Sequence, residues 1–292
     1  MMNKSRNILY GSLLLLPAGV LLWAFTYQPI LATLYHSVFS TPKGRRAAVF
    51  VGADQYARMI ADPVFWQALQ NNLVYAVVTV PASMGLALAM ALFVNSKING
   101  QGLVRMAYFT PTVLPMVAVA NIWLFFYAPG YGPIDQLLGV IGLGHNNLLG
   151  SPSTALGALI LITIWKEAGF FMIFYLAALQ QISPTLLEAA RLEGASPLQI
   201  FRRVTLPLIM PTTLFVLVNA LIGAFRLVDH VIALTKGGPD NSTTLLLYYI
   251  YEVGFQYWDT GYAAALTAFL LALLAIIALF QFGYLDKKVH YR

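Results

Sequence analysis

Four ionisable side chains lie within long apolar stretches, and they are the first candidates for chemistry in this sequence. Lys166 and Glu167 lie near the middle of one stretch, and Arg226 and Asp229 lie toward the end of another. A charge at mid-membrane costs roughly 2.5–3.5 kcal/mol, so such residues face protein or water and mark a solute pathway, a proton relay or a structural ion pair. Arg226 and Asp229 are three residues apart and are predicted to pair on one helix face. The adjacent Lys166 and Glu167 point about 100° apart, so at least one of them is expected to be structural.

The residues needed for covalent catalysis or metal binding are not clustered in this sequence. Cysteine is absent, the four histidines are dispersed, and no group of nucleophile, acid and base stands out. The pattern G-x-x-x-x-G-K-[ST] does not occur, and "TKGGPD" reads as a turn without the Lys-Ser or Lys-Thr that would hold phosphate and magnesium. The sequence therefore predicts a protein that is not an enzyme, with no metal site and no cofactor of its own.

The composition determines which elements position these residues. The chain has 292 residues, 59% hydrophobic and 10% charged, against about 45–50% and 25% in soluble domains. Its apolar stretches are long enough to cross a hydrocarbon core of about 30 Å. An all-α integral membrane protein with six spans is predicted, as a single domain over residues 1–292. The expected spans are about 8–39, 71–94, 104–128, 154–179, 208–233 and 261–284.

The distribution of Lys and Arg predicts the orientation of these spans. A net charge of +6 scattered at the ends of apolar runs argues against nucleic-acid binding. With both termini in the cytoplasm, ten cations lie inside and five outside, as the positive-inside rule requires. The inner set is Lys4, Arg6, Lys97, Arg105, Arg191, Arg202, Arg203, Lys287, Lys288 and Arg292, and the outer set is Lys43, Arg45, Arg46, Arg58 and Lys236.

One polar segment between the fourth and fifth spans carries a specific motif. It reads Glu188-Ala189-Ala190-Arg191-Leu192-Glu193-Gly194, then nine residues, then Val204-Thr205-Leu206-Pro207. Ser183 and Pro184 suit the start of a helix, and Gly194 suits its left-handed end. Ser196 and Pro197 then begin a second short helix. The segment 183–207 is therefore predicted to be a helix–turn–helix, although an ordinary amphipathic connection between two spans remains the simpler alternative.

This motif resembles the EAA loop of binding-protein-dependent ABC importer permeases, E-A-A-x3-G-x9-I-x-L-P, with Val204 where Ile is usual. The resemblance implies a type I importer permease fold in a bacterial cytoplasmic membrane. It also implies that residues 183–207 are a cytoplasmic coupling loop that docks on an ATPase subunit. The coupling residues carried over are Glu188, Ala189, Ala190, Arg191, Glu193, Gly194, Leu206 and Pro207.

Weaker similarities over most of the chain resemble the carbohydrate-uptake branch of that family. They include "DPVFWQALQNN", "LTKGGPDNSTTLLLYYIYEVGF" and "GYAAALTAFLL". The branch implies import of a sugar or related polyol by alternating access, or alternatively of glycerol 3-phosphate. It also implies a second homologous permease subunit, two ATPase subunits that hold ATP and magnesium, and an extracytoplasmic substrate-binding protein.

Aromatic and polar side chains within the spans are the candidates for contact with such a solute. Rings offer flat apolar faces to a sugar, and amides pair with its hydroxyls, although most aromatic residues in spans pack or anchor the helix. The candidate pathway residues are Trp165, Lys166, Asn219, Phe225, Arg226 and Asp229, with Phe170, Phe171, Tyr175, Asn121 and Gln180 as further possibilities. A proton-coupled carrier using Glu167 or Asp229 as a relay is the competing class, which the motif spacing disfavours.

Overall fold

The computed structural model describes residues 4–42, 44, 47–96, 99–142, 147–281 and 283, with the backbone alone for 4–10. Within these ranges the regular structure is helical, and the one β-type contact is an isolated bridge between Phe39 and Phe50. The predicted all-α class is confirmed. Several residues used above lie outside the described residues: Lys43, Arg45, Arg46, Lys97, His145, Lys287, Lys288, His290, Arg292 and the side chains of Lys4 and Arg6.

The described chain forms helices α1 (Lys4–Leu22), α2 (Gln28–His36), α3 (Asp54–Ala61), α4 (Pro63–Asn95), α5 (Gln101–Val113), α6 (Met116–Phe126), α7 (Pro133–Val140), α8 (Ala155–Gln180), α9 (Pro184–Leu192), α10 (Pro197–Ile200), α11 (Leu206–Leu208), α12 (Met210–Arg226), α13 (Asp229–Leu234), α14 (Leu246–Tyr251) and α15 (Thr260–Phe280). Short π-helical segments lie at Trp23–Tyr27, Phe201–Thr205 and Glu252–Gln256.

Five helical segments are long and apolar enough to cross a membrane, and a sixth qualifies only if a bent pair is one span. The five are Gly11–His36, Pro63–Asn95, Ala155–Gln180, Met210–Leu234 and Thr260–Phe280. Five of the six predicted spans therefore correspond to helical segments. The second begins earlier than expected because Pro63 starts a helix that runs without a break into the apolar stretch.

The third predicted span, 104–128, is not one continuous helix. Helices α5 and α6 meet at an angle of 101°. Leu114 has an extended backbone (ψ 136°) because the ring of a following proline disfavours the helical conformation, and Pro115 itself has no amide hydrogen to continue the ladder. The third predicted span is therefore present as a bent pair of helices, and its crossing of the membrane stays a prediction.

Contacts divide the chain into two compact units. The first comprises the residues up to Asp62 together with Ile250–Ala272, and the second comprises Pro63–Tyr249 and the residues from Leu273. The organisation of residues 1–292 as a single permease domain stays a prediction.

In the first unit, a polar network ties α3 to the start of α15. Arg58 forms an ion pair with Asp259 at 2.6 Å, and its guanidinium lies 4.0 Å from the centre of the Tyr262 ring. The Tyr262 hydroxyl donates to Asp62 at 2.6 Å, and the Thr41 hydroxyl donates to Asp259. Burial alone raises the pKa of the Asp259 carboxyl, but the hydrogen bonds from Thr41, Arg58 and the Tyr262 amide outweigh burial, so its pKa lies below the ordinary value of 3.8.

In the second unit, buried polar side chains on α4 join four other helices. The Asn72 amide donates to the Ala224 carbonyl of α12 at 3.2 Å and accepts from the Leu246 amide of α14 at 3.2 Å. One turn further along, the Tyr75 hydroxyl lies 2.6 Å from Thr163 Oγ1 of α8 and 3.1 Å from His230 Nε2 of α13. These hydrogen bonds hold α4 against its neighbours. They are needed because apolar side chains of α4 could contact lipid equally well.

Helices α5 and α8 approach closely at Gly169. A Cβ at this position would clash with the Tyr108 carbonyl oxygen and lie 3.1 Å from the Thr112 hydroxyl. A small residue at a helix crossing allows backbones to pack tightly in a membrane. By contrast, a Cβ at Gly157 of the same helix would meet nothing within 4 Å.

The substitution Gly169→Ala is expected to destabilise the protein by about 1–3 kcal/mol because the two helices must separate to admit the methyl group. The matched change Gly157→Ala is expected to be neutral or to stabilise by up to about 1 kcal/mol, since alanine is the better helix former. Thermal unfolding of both variants in detergent measures the difference. Equal midpoints for the two variants would contradict the close approach at Gly169.

The substitution Asp259→Asn is expected to lower the unfolding midpoint by about 1–3 °C at neutral pH, a small effect because the pair is partly exposed. A carboxyl whose pKa is depressed by folding stabilises the folded state above its unfolded pKa, and this stabilisation is lost as pH falls through the folded pKa. The gap between wild type and variant should therefore narrow on acidification below about pH 4. Asp54→Asn, which removes an exposed carboxylate of the same unit, is the control, and a pH-independent gap for Asp259→Asn would refute the argument.

Candidate functional site

The EAA-like segment forms a rigid turn between two short helices. Helix α9 begins at Pro184 and ends at Leu192, and Glu193 is its C-terminal capping residue. Gly194 has φ +79°, and the amides of Ala195 and Gly194 donate to the carbonyls of Ala190 and Arg191 at 3.1 and 3.0 Å. This pair of bonds is a Schellman motif, which satisfies the last carbonyls of a helix. The left-handed conformation predicted for Gly194 is confirmed.

The second helix of this segment has a capping box at its start. The Ser196 hydroxyl accepts from the Gln199 amide at 3.4 Å, and the Gln199 side chain accepts from the Ser196 amide at 2.8 Å, with Pro197 in the first turn. At α9, Ser183 occupies the capping position, but its hydroxyl pairs with Thr185 Oγ1 at 2.7 Å instead of a backbone amide. The helix–turn–helix predicted for 183–207 is thus present. Ser183 has the extended backbone of a capping residue, but its side chain makes no capping hydrogen bond.

After α10 the chain continues through the π-helical turn Phe201–Thr205 into α11, which contains Leu206 and Pro207, before α12 starts at Met210. The second short helix is separated from the fifth predicted span at Ile209, whose backbone leaves the helical region (φ −89°, ψ 1°), and not at Pro207. The π turn precedes Pro207, so the missing proline amide is accommodated inside a nearly continuous helical segment.

The surface of this segment is unusually apolar for an exposed loop. Leu186, Leu192 and Leu198 are 49%, 89% and 65% exposed. Glu188, Ala189, Arg191 and Glu193 are also exposed, and Ala190 is half-buried. Exposed leucines rimmed by charged side chains are typical of a surface that binds another protein.

The residues predicted for a solute pathway do not all lie together. Trp165 is 37% exposed and makes an edge contact with Trp123 at 5.6 Å between ring centres. Phe225 is 2% exposed and belongs to the core of the second unit. Asn219 is exposed on α12 and lines a cavity described below.

Lys166 has a structural partner at the break between α5 and α6. Its ammonium donates to the Thr112 carbonyl at 3.3 Å, while the Thr112 hydroxyl donates to the Lys166 carbonyl at 3.1 Å. The Thr112 carbonyl is freed because the helix ends before Pro115. A cation at a helix C-terminus satisfies such a carbonyl and interacts favourably with the helix dipole. Of the adjacent pair, Lys166 is therefore the structural member.

Arg226 and Asp229 do not form the predicted ion pair in the described structure. Helix α12 ends at Arg226, and a new helix begins at Asp229 after two non-helical residues. Leu227 has an extended backbone (ψ 116°), so the three-residue spacing no longer places the two side chains on one helix face. The rule for helical neighbours failed because the helix is broken between them.

A cavity of about 100 Å³ lies within the second unit, between α4, α8 and α12. Its lining combines hydroxyl and amide groups with two phenylalanine rings and one carboxylate. The lining residues are Thr79, Val80, Ser83, Thr163, Glu167, Phe170, Phe171, Asn219, Ala220, Gly223, Ala224 and Leu227. Among the residues predicted for the pathway, Asn219, Phe170 and Phe171 are in this set.

Thr79, Ser83 and Thr163 were missed at the level of sequence. Thr79 and Ser83 are four residues apart on α4, so they share one face of that helix. A hydroxyl pair at this spacing in an otherwise apolar span is the signal that could have found them. Within the described residues, no group of three or more His, Cys, Asp and Glu side chains could hold a metal ion.

Comparisons with known proteins cover nearly the whole chain. The family model described as binding-protein-dependent transport system inner membrane component matches residues 83–291. The lactose transport system permease protein LacF of Rhizobium radiobacter is 34% identical over 278 residues, 93% of this chain and 92% of the relative. The sn-glycerol-3-phosphate transport system permease protein UgpA of Agrobacterium fabrum is 30% identical over 286 residues, 98% of this chain and 97% of the relative.

A solved structure has the same fold over almost its full length. It is a chain of a bacterial alginate ABC transporter in complex with an alginate pentasaccharide-bound periplasmic protein. The TM-score is 0.84 at 27% sequence identity, and the match covers 99% of this chain and 98% of that chain.

The turn at Gly194 generates a test of local order. A Cβ at Gly194 would meet nothing within 4 Å, so a substitution is opposed by the left-handed backbone alone. Gly194→Val is expected to destabilise the turn by about 1–2 kcal/mol and to speed tryptic cleavage after Arg191 roughly tenfold. Gly194→Asn is the control because asparagine tolerates this conformation, and equal cleavage rates for the two variants would contradict the assignment.

Proposed function

The chain belongs to the family of binding-protein-dependent transport system inner membrane components, and from this premise we propose that it is the membrane-spanning subunit of an ATP-driven importer for a sugar or related polyol. Relatives over the full length are named as permeases for lactose and for glycerol 3-phosphate. A matching solved chain belongs to a bacterial ABC transporter involved in the import of alginate. These names share a polyhydroxyl cargo, which supports the cargo class proposed for this chain.

The observation that carries the proposal is the exposed helix–turn–helix at 184–208. It is stiffened by the Schellman motif at Gly194 and the capping box at Ser196, and it presents apolar side chains to its surroundings. A short rigid helix with an apolar face suits insertion into a cleft of a partner protein. The proposed partner is an ATPase subunit that binds ATP and magnesium, since this sequence has no phosphate-binding loop of the P-loop type.

The proposed coupling residues have different roles within this element. Ala189 and Ala190 allow close approach of the partner, while Glu188, Arg191 and Glu193 form its charged rim. Gly194 makes the turn, and Leu206 and Pro207 lead from it to α12. A rigid connection of this kind can transmit movement of the ATPase subunits to the spans.

The cavity between α4, α8 and α12 is the proposed place of contact with the solute. It has hydroxyl, amide and carboxylate groups beside two phenylalanine rings, which is the combination that polyhydroxyl ligands require. Its volume of about 100 Å³ is below the range of about 300–1,000 Å³ for complete ligand sites. A second permease subunit is therefore proposed to supply the other wall.

Helix α8 links the two parts of the proposed machine. Glu167 of the cavity and Gln180 at the helix end are both on α8, and α9 starts at Pro184. The distance along the helix from 167 to 180 is about 20 Å at 1.5 Å per residue. Alternating access is the proposed mechanism: ATP-driven closure of the ATPase subunits moves the coupling loop, and the spans then open the cavity to one side and the other in turn.

The proposed arrangement has six spans, with both termini and residues 183–207 on the cytoplasmic side of a bacterial inner membrane, as the count of Lys and Arg indicates. An extracytoplasmic binding protein delivers the solute, consistent with the family description and with the periplasmic protein in the alginate complex. Two ATPase subunits and a second homologous permease complete the proposed assembly.

Two alternatives remain distinguishable by experiment. Glycerol 3-phosphate is the cargo named for several relatives, including UgpA, and uptake assays with neutral and phosphorylated solutes separate the two cargoes. A proton-coupled carrier using Glu167 would lose uptake when the proton gradient collapses. The ATP-driven importer should keep its uptake under that treatment and lose it on ATP depletion.

Cysteine placed at Ala189 tests the docking role, because the chain has no native cysteine. Ala189→Cys should react with a membrane-impermeant maleimide from the cytoplasmic face alone and should cross-link to an ATPase subunit in an ATP-dependent way. Ser153→Cys is the matched control, since Ser153 is exposed near the opposite end of α8 and should react from the outside. Labelling of Ala189→Cys from outside would refute the topology, and absence of a cross-link in an active complex would refute the docking.

A further inference from the structure

The cavity in the second unit has one ionisable lining residue among those described, the carboxylic acid Glu167. Glu167 is half-buried on α8, and its carboxylate has no hydrogen bond or ion pair within the described residues. A carboxylate inside an apolar span costs free energy unless a partner or water satisfies it. In the described structure, the space that can provide such a partner is the cavity.

No cation lines the same cavity within the described residues. The nearest candidate in sequence, Lys166, directs its ammonium to the Thr112 carbonyl on α5. Arg226 is exposed at the end of α12 and is not part of the lining. A solute carrying phosphate, sulfonate or carboxylate would therefore meet the Glu167 carboxylate with no cation in the lining, where Lys166, its neighbour in the chain, offsets part of that charge.

The hydroxyl groups around Glu167 are arranged mainly to accept hydrogen bonds. Thr79 and Thr163 donate their hydroxyl hydrogens to the carbonyls of Tyr75 and Leu159, at 2.6 and 3.1 Å. Thr79 therefore offers its lone pairs to the cavity, whereas Thr163 already accepts one hydrogen bond, from the Tyr75 hydroxyl, and keeps one lone pair. Ser83 is 2% exposed and makes no hydrogen bond within the described residues, so its hydroxyl is available as either donor or acceptor.

A lining rich in acceptors selects ligands rich in donors. A carboxylate accepts hydrogen bonds from two neighbouring hydroxyls at once, as a vicinal diol on a sugar ring provides. Phe170, which is 37% exposed, adds an apolar surface for the C–H face of such a ring. These groups together fit one edge of an uncharged polyhydroxyl molecule.

We infer that Glu167 and Ser83 form a selectivity site that binds the hydroxyls of uncharged sugars or polyols and repels anionic ones. This inference rests on the proposed import function and narrows its cargo. An uncharged cargo would differ from the glycerol 3-phosphate named for some relatives and from the acidic polysaccharide alginate named for a structural neighbour. Glu167 acts as the specificity-determining residue, and Ser83 supplies the hydrogen-bond partner that can donate.

The proposed repulsion of anions can be tested without knowing the cargo, by measuring how fast charged reagents react with a single thiol in the cavity. The chain has no native cysteine that would interfere. Ser83→Cys is nearly isosteric and places one thiol in the cavity. Its reaction rates with cationic 2-aminoethyl methanethiosulfonate and anionic 2-sulfonatoethyl methanethiosulfonate are measured in the assembled transporter. Ser153→Cys, on an exposed segment, gives the reference ratio of the two rates.

The ratio of cationic to anionic rates at Ser83→Cys is expected to exceed the reference by about tenfold or more, since Glu167 and Ser83 line the same cavity and a charge acts strongly at the low dielectric there. Adding Glu167→Gln, which keeps the shape and removes the charge, should bring the ratio to within about twofold of the reference. A ratio equal to the reference, a ratio unaffected by Glu167→Gln, or a thiol unreactive toward both reagents would overturn the inference.

Uptake by the complete transporter tests the cargo itself. The solute carried by its binding protein is expected to be uncharged, and Glu167→Ala should reduce its uptake at least about tenfold, as expected for loss of a charged hydrogen-bond partner. ATP-dependent uptake of glycerol 3-phosphate or another anionic solute as the main cargo would overturn the selectivity site but leave the importer function standing. Uptake independent of ATP would overturn the importer function, whereas the labelling ratio would still report the charge of the cavity.

Discussion

The second unit depends on hydrogen bonds that a lipid bilayer cannot provide. Lipid tails are as apolar as leucine, so burial of apolar side chains does little to hold one membrane helix against another. Helix α4 instead carries Asn72 and Tyr75, which bond to α8, α12, α13 and α14. Breaking these bonds in an apolar medium would leave polar groups unpaired at a cost of roughly 1–3 kcal/mol each. The cavity is positioned because its walls are held by this network.

Breaks in the helices create the same need for hydrogen-bond partners. A membrane helix that ends inside the apolar region exposes carbonyls, and each needs a partner. At the break between α5 and α6, the partner is the ammonium of Lys166. Lys166, which looks like a functional charge in the sequence, therefore has a structural role. Of the adjacent pair, Glu167 is the residue that lines the cavity.

The coupling segment is joined in sequence to two walls of the cavity, α8 before it and α12 after it. Backbone hydrogen bonds at Gly194 fix the turn between α9 and α10, on the side that leads to α12. Glu167 and Phe170 of α8 and Asn219 of α12 line the cavity. A movement of the coupling loop would therefore change the shape of the proposed solute site directly, which is what alternating access requires.

Much of the coupling segment could be predicted from sequence because its determinants are local. Pro184, Gly194 and the pair Ser196 and Gln199 act within a few residues of themselves, through backbone angles and caps that hold in any surroundings. The lengths of the apolar stretches likewise located the helical segments, since the thickness of the hydrocarbon core sets the minimum number of residues in a spanning helix. The sequence alone determined the helical class, the family resemblance and the helix–turn–helix.

The cavity could not be predicted in the same way, because its residues come from three helices that are far apart in the chain. Thr79, Glu167 and Asn219 belong to α4, α8 and α12, and only the crossing of these helices decides which side chains meet. Spacing rules also failed where a helix was broken: Arg226 and Asp229 have the spacing of helical neighbours, yet Leu227 and Val228 separate their helices. The tertiary structure alone decided that Lys166 caps a helix and that Glu167 faces a cavity, since each role depends on which atoms of other helices lie within hydrogen-bonding distance.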